Sequence, residues 1–151
     1  ELIGSVGASG DVLITNSTYI PTYIFAWPLQ ENGYISSSYG YRSDPKTGEW
    51  KLHGGTDIAA PTGTPILASA DGVVIAAQWH DSYGYYVKIQ HNDTFATLYG
   101  HCSALHVSAG QQVKQGQVIA DVGETGYATG PHVHFEVYIN GTRVDAMQYF
   151  S

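Results

Sequence analysis

His53 and Asp57 stand in H-G-G-T-D, and His132 and His134 stand far along the chain in G-P-H-V-H-F-E. Imidazole nitrogens and a carboxylate oxygen are the donors of a hydrolytic metal centre, in which three protein ligands leave a fourth position to water. Asp is a hard oxygen donor and His a borderline nitrogen donor, a mixture suited to zinc among the first-row metals. Read as a strand, P-H-V-H-F-E-V-Y-I puts His132, His134, Glu136 and Tyr138 on one face. Val133, Phe135, Val137 and Ile139 then form the other, an apolar face made for packing. Two imidazoles side by side on the polar face need a different explanation. H-G-G-T-D is a poor helix, with two glycines inside and A-A-P following. It is expected to be an extended or bulged segment whose glycines bend both side chains toward one ion.

Neighbouring residues admit more than one reading. His101 ends T-L-Y-G-H, where alternation groups it with Thr97 and Tyr99; alone, it reads as a strand-end histidine bonded to a turn. Cys102 then points to the opposite face, as a small core residue. Glu136 either orients an imidazole from behind or stands in solvent on an exposed strand. His80, His91 and His106 lie beside turns or outside any pattern and are given no role.

The elements that must position these side chains are strands. Alternating or apolar runs occur at 35–42, 72–79, 85–91, 95–101 and 118–123, before the H-V-H strand. All but 95–101 close on Gly, Pro, Asn or Asp, and I-N-G-T-R at 139–143 has the form of a two-residue hairpin turn. No segment keeps a helical period over three turns. Short strands at intervals of roughly ten residues predict an all-β barrel or sandwich with antiparallel strands and long loops around a groove. Residues 1–26, polar and Gly/Ser/Thr-rich with Pro21 in the middle, read as an N-terminal arm or linker before a domain at 27–151.

Bulk properties narrow the functions. One domain of 151 residues can bury a core without staples. A formal net charge of -7 disfavours a nucleic-acid partner, which would need a basic stripe. The single cysteine, Cys102, excludes an intrachain disulfide. No stretch approaches the ~20 apolar residues of a spanning helix. The chain begins at Glu1 and has no signal-peptide pattern, so it is expected to be an excised or processed domain, acting as a monomer.

In order, H-G-G-T-D-I-A-A-P-T-G-T-P-I, A-D-G-V-V, L-Y-G-H and G-E-T-G-Y-A-T-G-P-H-V-H-F-E-V resemble the lysostaphin/LytM-type zinc endopeptidases of bacterial cell walls. The similarity covers roughly residues 27–148. It implies a fold of the duplicated-hybrid-motif type, with Zn2+ held by His53, Asp57 and His134. It also implies catalytic roles for His132 and His101. The chain lacks H-E-x-x-H, so no glutamate is placed as general base and a histidine must take that part. The implied substrate is the peptide part of peptidoglycan, a cross-bridge or stem link, met outside the cytoplasm by a secreted protein or an ectodomain. Loops 80–86 and 43–51 would wall the groove, with Tyr83, Tyr85, Tyr86 and Trp50 available to substrate. Arg42 would meet a substrate carboxylate or form a structural ion pair.

Two other functions compete. Some members of that family lack a ligand or a catalytic histidine and serve as scaffolds or activators of other wall hydrolases; here all five positions are filled. V-S-A-G-Q-Q-V-K-Q-G-Q-V-I-A-D-V-G also resembles the hairpins of biotinyl and lipoyl carrier domains and of the glucose-specific phosphotransferase component. Lys114 sits mid-hairpin without the carrier setting, so that resemblance extends to the fold alone.

Overall fold

A computed structural model describes residues 24–31 and 33–150. Turn residues cut the chain into β1 (Tyr34–Ser37), β2 (Gly40–Ser43), β3 (Trp50–His53), β4 (Thr56–Ala59), β5 (Pro65–Leu67) and β6 (Gly72–His80). They are followed by β7 (Gly84–Gln90), β8 (Phe95–Leu105), β9 (Gln112–Val113), β10 (Val118–Val122), β11 (His132–Ile139) and β12 (Thr142–Val144). Among the described residues the single helical element is a 3-10 turn, Ala146–Gln148, capped by the Asp145 carboxylate. No helix there is long and apolar enough to cross a membrane. The architecture is all-β, as expected, and every strand pair is antiparallel.

Ten strands form one sheet, in which β1, β4, β11, β8, β7, β6 and β9 are successive neighbours. β10 joins β5 to β8, and β12 pairs with β11. β2 and β3 stand apart as a two-stranded sheet. The expected strand over 35–42 is therefore two: β1 enters the large sheet, and the chain leaves it before Gly40, whose φ of 129° suits only glycine. The 139–143 turn is as expected. Ile139 pairs with Thr142, and Asn140 and Gly141 have φ of 50° and 81°, the pattern of a type I′ turn.

The alternation read in β11 holds. Val133, Phe135 and Val137 are fully buried against Ile58, Tyr99 and Phe95, among others, in one apolar core. Phe25 lies in that core too, its amide bonded to the Tyr149 carbonyl at 2.8 Å. The arm expected over 1–26 otherwise lies outside the described residues up to residue 23.

β8 departs from simple alternation where it matters. Val87 pairs with Tyr99 but Tyr85 pairs with Cys102, so β8 carries one residue more than β7 over this stretch. The extra residue is accommodated at His101, whose φ is 64°. Before the bulge, Gly100 pairs with His134; after it, Cys102 pairs with Val122 of β10. Tyr99 and His101 consequently do not share a face as alternation predicts. Tyr99 is buried in the core, accepting from the Ser69 amide, while Cys102 returns to the core as expected.

His91 is tied into the same interior. One ring nitrogen donates to the Asp71 carbonyl at 2.7 Å and the other lies 2.8 Å from the Thr97 hydroxyl. Burial lowers its pKa to about 4, against the opposing pull of the Asp71 carbonyl. Its neutral form is the one the fold prefers, so below the ordinary value of about 6.5 the unfolded chain binds more protons. Stability is expected to fall by about 2–3 kcal/mol as pH drops from about 6.5 to 4 through this group. Urea midpoints across that range, compared with His91→Gln, test this: the variant should show the shallower pH slope.

Candidate metal centre

His53 is the last residue of β3 and Asp57 the second of β4, so H-G-G-T-D bridges the two sheets rather than forming one bulged strand. In the large sheet Asp57 pairs directly with His134 of β11, which pairs in turn with Gly100 of β8. Side chains of directly paired residues share a face, and this register brings the distant motifs together. Asp57 Oδ1 lies 2.8 Å from His134 Nδ1, 3.1 Å from His53 Nε2 and 3.6 Å from His132 Nε2. One ligand atom from each of His53, Asp57 and His134 lies within 4.8 Å of the other two. Two nitrogens and one oxygen at this spacing are a donor set that fits zinc and leaves room for further ligands.

The rings are fixed from behind. His53, His101 and His132 each donate Nδ1–H to a main-chain carbonyl, of Ser38, Thr125 and Gly130, at 2.9, 2.7 and 2.9 Å. With Nδ1–H so engaged, each turns Nε2 to the site, as a lone pair when the ring is neutral and as a donor when it is charged. His101 and His132 stand beside the three-donor cluster with ring centroids 4.8 Å apart. Behind His134, Nε2 lies 2.8 Å from Oε2 of Glu136. Glu136 is fully buried, not solvent-exposed, and its carboxylate accepts from Tyr83 at 2.9 Å, Tyr138 at 2.5 Å and Arg143 at 3.3 Å.

Electrostatics follow from this packing. Burial works to raise the pKa of Asp57, yet hydrogen bonds from His134 and His53 prevail and hold it below the usual carboxylate range. Burial likewise opposes charge on His134, but its bonds to Asp57 and Glu136 raise it to about 9. His101 moves the other way: burial lowers it to about 4, so its imidazole is neutral at pH 7.

All five expected positions thus converge. The centre opens into a groove of about 1170 Å³ lined by Tyr34, Arg42, Tyr83 and Tyr127, among others. Of the aromatic residues expected to face substrate, Tyr83 lines this groove but spends its hydroxyl on Glu136, while Trp50, Tyr85 and Tyr86 are not among the lining residues. Arg42 bonds Ser37 at 2.7 Å and lies 3.6 Å from Asp57 Oδ2, which gives it an ion-pair partner. Sequence reasoning missed Tyr83, Tyr138 and Arg143 as partners of Glu136. Two were within reach: Tyr138 follows Glu136 by two on the same face, and the I-N-G-T hairpin register sets Arg143 opposite Tyr138.

An all-β fold carrying a buried His/Asp/His donor set beside two further histidines is the arrangement of a metal centre. The chain belongs to peptidase family M23, whose family model matches residues 51–146. These are the zinc metallopeptidases of lysostaphin type that the motifs resemble. It is 49% identical over 111 residues to the DD-carboxypeptidase/endopeptidase Mpg of Neisseria meningitidis, covering 74% of this chain and 26% of that protein. Identity to the peptidoglycan DD-endopeptidase ShyA of Vibrio cholerae is 43% over 123 residues, covering 81% of this chain and 29% of the relative. The crystal structure of a zinc-containing peptidase from Vibrio cholerae superposes with a TM-score of 0.73 at 41% identity, over 82% of this chain and 39% of that one. The chain therefore spans between a quarter and two fifths of the length of these relatives.

The two glycines of H-G-G-T-D leave space rather than merely bend the chain. A Cβ on Gly55 would sit 2.7 Å from the Phe135 carbonyl and 2.8 Å from the His134 ring. A Cβ on Gly54 would meet the end of the flexible Arg143 side chain. Gly55→Ala is expected to cost about 1–3 kcal/mol of stability and to impair zinc loading, because backbone and a ligand ring must shift. Gly54→Ala should cost less. Thermal unfolding and zinc stoichiometry of the two variants check the contrast.

Proposed function

We propose that this chain is the catalytic domain of a zinc endopeptidase that cleaves peptide bonds in the cross-links or stem peptides of peptidoglycan. The observation that carries this reading is the convergence of His53, Asp57 and His134 on one point, with His101 and His132 alongside. The names of the similar Neisseria and Vibrio proteins support the substrate class. The full set of five positions argues against a silent scaffold or activator. Action on wall peptides supports a domain working outside the cytoplasm, in a secreted protein or an ectodomain; a monomer is part of the same proposal.

His53, Asp57 and His134 would hold the zinc. When bound, the metal supplies Lewis acidity toward water and the scissile carbonyl. The chain's own residues do the rest. His101 and His132, their Nδ1 protons held by the Thr125 and Gly130 carbonyls, offer two Nε2 atoms at the cluster. One accepts the proton of the attacking water and gives it up to solvent after the reaction; the other, having taken a solvent proton on Nε2 beforehand, stabilises the developing oxyanion or donates to the leaving amine. His101, neutral at pH 7, has its Nε2 lone pair free at the cluster. The groove walls around Arg42 and Tyr127 orient a thin extended peptide across the centre.

Zinc-loaded protein incubated with purified peptidoglycans of different cross-link types should release fragments that mass spectrometry assigns to one bond, and a chelator should abolish the release. His132→Ala and His101→Ala should each lose about 10²–10⁴-fold in kcat while keeping zinc. His53→Ala, Asp57→Ala and His134→Ala should lose the metal itself. Wall turnover by His132→Ala equal to that of the parent would rule the catalytic assignment out.

A further inference from the structure

Three of the four histidines at the centre are held in one way and the fourth in the opposite way. His53, His101 and His132 give Nδ1–H to a main-chain carbonyl and turn Nε2 to the site. His134 turns Nδ1 to the site, 2.8 Å from Asp57 Oδ1, so its Nε2–H must find an acceptor on the core side of the ring. That acceptor is Oε2 of Glu136 at 2.8 Å.

A fully buried carboxylate is an expensive way to supply one acceptor, because it brings further lone pairs that also need donors. Here each is provided for. Tyr83 reaches in from the β6–β7 loop, Tyr138 from two residues along β11, and Arg143 across the hairpin from β12. These donors come from three separate elements and converge on a residue whose contact with the centre is His134. The Tyr83 ring also packs on the His134 imidazole, with centroids 5.7 Å apart. The arrangement fixes the rotation of the His134 ring and, where a metal takes the place of the proton at Nδ1, keeps the remaining proton on Nε2.

We infer that Glu136, gripped by Tyr83, Tyr138 and Arg143, is a positioning residue that holds His134 as the Nε2–H tautomer and thereby sets the affinity of the centre for zinc. The inference rests on the reading of His134 as a ligand and goes further, by assigning affinity to residues that never reach the metal. Outer partners of ligating histidines contribute about 10–100-fold in metal affinity. Glu136→Gln keeps an acceptor of the same shape without the charge, and Tyr138→Phe removes one donor while leaving Glu136 in place.

The test is zinc affinity by competition with a chromophoric chelator, on the whole chain, for the parent, Glu136→Gln and Tyr138→Phe. Thermal unfolding of each identifies folded variants. Long-range proton–nitrogen NMR of the zinc-loaded parent should show His134 protonated at Nε2 and free of a proton at Nδ1. Glu136→Gln should weaken zinc binding about 10-fold or more, and Tyr138→Phe by a smaller factor. Folded Glu136→Gln and Tyr138→Phe proteins binding zinc within twofold of the parent would overturn the inference, as would a His134 proton on Nδ1. Failure of the parent to bind zinc at all would instead sink the reading of the centre itself. Zinc binding that depends on Glu136, without peptide release from any wall, would leave this inference standing and remove the peptidase.

Discussion

Two carboxylates lie in the middle of a β-sheet, and the rest of the site is arranged around the need to surround each with donors. An unpaired carboxylate in such a place would take up a proton or open the structure to water. Asp57 is faced by His53, His132, His134 and Arg42, and Glu136 by His134, Tyr83, Tyr138 and Arg143. His134 lies between the two and links them. The same constraint explains why so many side chains come from separate elements: a single strand can place at most every second residue on one face. A centre with this many donors needs β3, β4, β8, β11 and the hairpin after it to meet.

β8 shows how the sheet makes room. Over its first half it runs beside β11, and over its second half beside β10, so one edge serves two partners in turn. The extra residue at His101 falls at the changeover. A left-handed conformation at a non-glycine residue carries a backbone cost of roughly 1–2 kcal/mol. It is offset by main-chain bonds on both sides: the His101 amide donates to the Tyr83 carbonyl at 2.6 Å and its ring to the Thr125 carbonyl. The consequence is an imidazole facing the centre from a strand whose regular alternation would have turned it into the apolar core.

The domain sits within a family whose similar members from Neisseria and Vibrio are nearly three times as long as this chain. Residues 51–146, which carry the family match, include every donor of the metal centre and both further histidines. β1, β2 and the turn between them lie before that range, yet they furnish Ser37, Ser38 and Arg42, which brace Asp57 and His53. The bracing of the centre thus extends beyond its motifs.

Much of this was legible in the sequence because it depends on local chemistry. The strand period in H-V-H-F-E-V-Y-I separates core from site, the Asn-Gly pair dictates a two-residue hairpin, and glycines flanked by His and Asp exclude a helix. Ligand types and the all-β class follow from such patterns, whereas the five site positions came from the resemblance of the motifs, in their order, to a known family. Other features depended on pairing between distant segments, which a linear pattern does not encode. That Glu136 is buried rather than exposed is decided by Tyr83, fifty-three residues before it, and by Arg143. That 35–42 breaks into two strands is decided by which sheet each half joins. His101 reaches the centre only because β7 and β8 are out of step by one residue, and that mismatch exists only once the two strands are paired. The sequence by itself determined which groups could do the chemistry; the tertiary structure decided their protonation and direction, because both depend on neighbours far away along the chain.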